Sequence, residues 1–121
     1  MSPSLEMLRR RMLRAPYSTE IIAVMREIAR SGDPDAIVVL SRQLDVPCDV
    51  GRAAVACLVA IGFAVIPEMR RRLDALDEDM VRNAHRVLAV LGDENSRAAL
   101  DAECWADLEQ GADDDGEKAA Q

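Results

Sequence analysis

The chain has few aromatic residues. Of 121 residues only Tyr17, Phe63 and Trp105 are aromatic, although half the chain is apolar. A core of Leu, Ile, Val, Ala and Met suits packed helices, because sheets usually carry more aromatics and a two-residue alternation. The chain also lacks long hydrophobic runs. The longest, from position 53 to 66, is broken by Gly62 and falls short of a membrane-spanning helix. Residues 1–15 are arginine-rich, with no apolar stretch and no cleavage signal, so they do not read as a secretory signal. Cysteine is sparse and unpaired in pattern. Cys48, Cys57 and Cys104 are odd in number and read as reduced thiols of a cytosolic protein. No glycine-rich phosphate loop is present, and no cysteines stand at a metal-ligand spacing. His85 is the sole histidine, with no nucleophile or ligand motif beside it, and reads as a surface or interlayer residue. These absences lead to the expectation of a non-enzyme without metal, cofactor or catalytic residue. Cys57 and Cys104 read as packing residues and Cys48 as a loop thiol.

The net charge of −7 is unevenly spread. In residues 1–100 fourteen acids and fourteen arginines cancel, and the remaining eight acids lie in residues 101–121 against Lys118 alone. The body is therefore balanced and the end acidic. Residues 111–121 contain no apolar side chain larger than alanine and read as a disordered acidic tail, leaving 1–110 as one domain.

What the chain does contain is a spacing of 30 residues. Gly32, Gly62 and Gly92 fall on it, as do Ile28, Leu58 and Leu88, then Thr19, Asp49 and Asp79, and also Arg52 and Arg82. A fixed step of that size marks units that hide their apolar faces against their neighbours.

Seven helices can be drawn. The first covers 4–14, with Leu5, Leu8, Met12 and Leu13 on one stripe, and ends at Ala15-Pro16. The second begins at Ser18 or Thr19 as cap, buries Ile21, Val24, Met25 and Ile28, and stops at Gly32. Asp33-Pro34 caps a third, with Pro34 in its first turn and Ile37, Leu40, Ser41 and Leu44 at inward spacing. Asp49 caps a fourth, which runs to Ile61. A fifth covers 64–76, with Ile66, Met69, Leu73 and Leu76 inward. Asp77 or Asp79 caps a sixth, which buries Met80, Ala84, Val87, Leu88 and Leu91 and closes at Gly92. A seventh covers 95–108, with Leu100, Cys104 and Trp105 facing in. Short connections between them suit antiparallel neighbours.

Two segments, 50–62 and 80–92, share an apolar residue, Arg52 or Arg82, an alanine-rich middle, Leu58 or Leu88, and a closing glycine. They resemble the second helix of short bacterial HEAT-like repeats, such as those of phycobilin lyase subunits. Asp33 and Asp93 supply the aspartate that follows the glycine in that pattern, and Phe63 replaces it in the middle unit. In the first unit Ile22 stands where arginine belongs. The resemblance covers about residues 19–100. It implies an all-α fold, a short right-handed α-solenoid of about three and a half HEAT-like helix pairs.

Solenoids commonly bind other proteins on the concave face of the second helices. From position 50 to 66 only Arg52 is charged, so Ala53, Ala56 and Ala60, with Phe63 at the helix end, form an apolar strip for such a face. Arg26, Arg30, Asn83 and Arg86, with His85 beside them, would make its polar rim. Arg52 and Arg82 suit a structural ladder between repeats better than a ligand site. The functional expectation is a small cytosolic scaffold, adaptor or assembly factor whose partner is another protein or a second copy of the chain. The lyase resemblance gives an alternative, an accessory factor for attaching a cofactor or chromophore to a client protein. A third reading is nucleic-acid binding through Arg9, Arg10, Arg11 and Arg14 and through Arg70, Arg71 and Arg72. It is disfavoured by the acidic balance and the shortage of stacking aromatics.

Overall fold

The structure, a computed structural model, describes residues 4–102. Cys104, Trp105 and the acidic end therefore lie outside the described residues. The described chain is helical, and no strand occurs in it.

Helix α1 spans Leu5–Arg14. Ser4 caps it, its Oγ accepting from Met7 N at 3.2 Å. Leu8 and Met12 are buried, whereas Leu13 is 66 % exposed, against the expected stripe. Leu13 follows Met12 directly, and adjacent helical residues cannot share one narrow face. Helix α2 spans Ser18–Arg30 and buries Val24, Met25 and Ile28. Neither Ser18 nor Thr19 caps it. The cap position is Tyr17, whose extended backbone starts the helix without a side-chain bond. At the far end Ser31 Oγ donates to Ile28 O at 2.7 Å, and Gly32 leaves the helix at φ +72°.

Asp33 and Pro34 do not cap α3, Ala36–Ser41: the cap position is Asp35, without a side-chain bond, and Asp33 Oδ1 accepts from Asp35 N at 2.9 Å in the turn before the helix. Ser41 is fully buried, but its hydroxyl donates back to Ile37 O at 2.5 Å, so burial leaves no unmet polar group. The helix tightens into a 3₁₀ turn at Arg42–Asp45, which carries the buried Leu44. Helix α4 spans Cys48–Ile61. Asp49 sits in its first turn and does not cap it. The cap position is Pro47, extended and without a side-chain bond, and Cys48 enters at φ +65°.

Gly62 takes φ +96° and ψ −150°, a region open almost only to glycine. There the chain turns by 115° from α4 into the segment of residues 63–72. Alanine at Gly62 meets no atom within 4 Å, so its cost is conformational alone, about 1–3 kcal/mol. Chemical denaturation of Gly62→Ala should show that loss with an unchanged slope.

After Gly62 comes a 3₁₀ turn, Phe63–Val65, and then α5, Ile66–Arg72. The single helix expected over 64–76 is thus shorter, and Leu76 is fully exposed in the following loop rather than inward. Val65 and Met69 fill the core there. Helix α6 spans Glu78–Val90, with Asp77 Oδ1 accepting from Met80 N at 3.0 Å. It ends in a Schellman closure, in which Asp93 N donates to Leu88 O and Gly92 N to Ala89 O. Asp93 also starts helix α7, described over 94–102, by accepting from Ser96 N at 3.1 Å.

Helices α2, α4 and α6 pack in that order, side by side. Helix α3 lies against α2, α4 and α5, and α5 lies against α6. Burial repeats at the 30-residue step. Val24, Ala54 and Ala84 are buried, as are Ile28, Leu58 and Leu88. Arg26, Ala56 and Arg86 are exposed, as are Arg30, Ala60 and Val90. The three helices therefore turn equivalent sides inward and outward.

No single helix among the described residues is long and apolar enough to cross a membrane. The apolarity of α4 is consumed by packing. Val50, Ala54, Cys57 and Leu58 are buried between α2, α3, α6 and the 3₁₀ turn at Arg42–Asp45.

Candidate partner-binding face

Of the eight residues expected on the face, five line one groove between α2 and α4: Arg26, Arg30, Ala53, Ala56 and Ala60. Its volume is about 260 Å³. Ala29 and Cys57, which the sequence reading left out, complete it. Ala56 and Ala60 are exposed, and with the half-buried Ala53 they leave a shallow apolar floor. Arg26 and Arg30 stand one helical turn apart on α2 and make no ion pair among the described residues. Phe63 is 73 % exposed at the end of α4. Val90 is also exposed, and the 30-residue step from Arg30 and Ala60 points to it.

Cys57 sits at the base of this groove and is buried. Burial pushes its thiol above the ordinary value, against the opposite pull of Arg26 and Arg30. A raised pKa keeps the thiol protonated, and the thiolate is the nucleophilic form.

Asn83 is not a rim residue. It is 6 % exposed, and its Nδ2 donates to Leu44 O at 2.8 Å, tying α6 to the end of the 3₁₀ turn. Its Oδ1 accepts from Arg86 Nη1 at 2.8 Å. Arg86 is exposed as expected, but it belongs to a second, smaller pocket at the start of α4. Arg52 and Arg82 line that pocket with it.

His85 bridges helices. Its Nδ1 lies 2.9 Å from Ser96 Oγ of α7, and Ser96 is buried. The basic clusters are largely engaged. Arg9 and Arg10 share Glu6, Arg11 pairs with Glu27 of α2 at 2.9 Å, and Arg71 and Arg72 share Glu68. No group of three His, Cys, Asp or Glu among the described residues is placed to hold a metal ion. Comparison with known proteins matches the chain to no family model, no curated protein and no solved structure.

Proposed function

We propose that the chain is a short right-handed α-solenoid of HEAT-like helix pairs and serves as a small cytosolic binding module for another protein. Support for the stack comes from the burial pattern, which recurs at the 30-residue step, and from the serial packing of α2, α4 and α6. The binding surface is the outward side of those three helices. One observation carries this reading: an alanine-floored groove with two unpaired arginines on one wall. An apolar floor takes the apolar side of a helix, and free guanidinium forks take carboxylates. The fitting partner is an amphipathic helix with acidic residues along one edge.

The lyase-like alternative is weaker. The thiol in the groove is buried and held protonated, so the groove offers no nucleophile. Nucleic-acid binding is weaker too, because Glu6, Glu27 and Glu68 engage most of the arginines it would use.

The test is Ala56→Glu together with Ala60→Glu. Both side chains are exposed, so stability should change by less than about 0.5 kcal/mol each. Capture of the native partner should fall by at least about tenfold, since each change places a charge on the apolar floor and offers Arg26 and Arg30 an internal carboxylate. Circular dichroism confirms the fold and a pull-down reads the capture. Intact folding with undiminished capture would rule out this face.

A further inference from the structure

The pocket at the start of α4 holds three arginines and is distinct from the alanine groove. Arg52 comes from the second turn of α4, and Arg82 and Arg86 from α6. The pocket encloses about 190 Å³, bounded by Pro47 and Cys48 on one side and Asp79 and Asn83 on the other. Like charges do not gather in one concavity without cost, and here the sequence places them twice at the same register, Arg52 and Arg82.

Two of them, Arg52 and Arg86, make no ion pair among the described residues. Arg52 is exposed and makes no ion pair or hydrogen bond among the described residues. Arg86 donates to the amide oxygen of Asn83, a neutral group, at 2.8 Å. That bond orients the guanidinium and leaves its charge intact. Arg82 pairs with Asp79 at 3.4 Å. The guanidiniums of Arg52 and Arg86 thus keep their charge on the lining. Asn83 is itself locked by its bond to Leu44 O, so the Arg86 fork is held in place by the core.

We propose that this pocket binds a terminal phosphate group. Guanidinium forks match phosphate oxygens bidentately. A phosphate monoester carries nearly two negative charges at neutral pH, which suits the two guanidiniums of Arg52 and Arg86. A nucleic-acid phosphodiester carries one and comes in rows, whereas this is a single concavity. The site shares Arg86 with the outward side of α6 but does not depend on the protein-docking reading.

The experiment is a titration of the full chain at fixed ionic strength, read by calorimetry. Inorganic phosphate and a short phosphoserine peptide are separate probes, with the unphosphorylated peptide and a plain DNA duplex as controls. Wild type should saturate with at least one phosphate probe, and the tighter of the two names the source. Arg52→Ala should weaken that binding by about tenfold, the worth of one charge-assisted contact. Arg52→Lys should recover part of it. Arg71→Ala, on α5 and outside the pocket, should leave it unchanged. Arg52 is exposed and unbonded, so loss of folding does not cloud the result. No saturable binding by either phosphate probe, equal binding by wild type and Arg52→Ala, or a preference for the DNA duplex would overturn the proposal.

Discussion

Replacing Gly51 by alanine is expected to destabilise the protein by about 2–3 kcal/mol, although alanine is the better helix former. Gly51 is buried in the first turns of α4. A Cβ there would meet the carbonyl oxygen of Val46 at 2.1 Å and Nδ2 of Asn83 at 3.1 Å. The first contact is with backbone, so no rotamer change relieves it. Helix propensity alone favours alanine by roughly 0.5–1 kcal/mol. Overpacking of a fixed site costs about 1–3 kcal/mol, occasionally more. With backbone as the obstacle the steric term takes the upper end and decides the sign. At about 4 °C per kcal/mol for a chain of this length, Tm should fall by about 8–12 °C. An unchanged or raised Tm in a thermal melt would mean that α4 does not lie this close to Val46.

The second large effect concerns the same crossing point. Asn83→Ala should cost about 2 kcal/mol, because it leaves the Leu44 carbonyl without its donor in a buried place. Arg86→Ala, which removes only the exposed group on the other side of the amide, should cost less than about 0.5 kcal/mol. The contrast separates the inward bond from the outward one. Urea unfolding of the two variants measures both. Equal costs would show that Asn83 acts through Arg86 and not through the core. In the double variant Gly51→Ala with Asn83→Ala, most of the Gly51 penalty should persist, because Val46 O is the nearer obstacle.

The sequence showed a good deal of this fold, for identifiable reasons. Glycines at 32, 62 and 92 all take positive φ, as a residue used to end a helix should. Asp77 caps α6 through a short local bond, as residue type and spacing indicate, whereas Ser18, Thr19 and Asp49 cap nothing because the helices start one or more residues earlier. Ile28, Leu58 and Leu88 are buried where the repeat marks them, and Val24, Met25 and Val87 where helical periodicity does.

What the sequence hid depends on distant partners. Asn83 occupies the register of Ala23 and Ala53, so its pattern suggests a small surface position. Only the carbonyl of Leu44, 39 residues away, makes burial favourable. Gly51 reads as one more small residue until Val46 is seen beside it. The 3₁₀ turns at Arg42–Asp45 and Phe63–Val65 follow from how the chain bends into the next helix. Local composition does not distinguish them from α-helix. For the same reason Leu76, assigned inward by spacing, lies in a loop.

The central claim is that the outward side of α2, α4 and α6 holds a partner protein. The most direct measurement places a photo-crosslinking amino acid at single positions in the native host. Ala56 on that side should give one discrete protein adduct, lost when Arg26 and Arg30 are changed to glutamate. Arg71 on α5, also exposed, should give none of the same mass. An adduct from position 71 and none from position 56 would contradict the account.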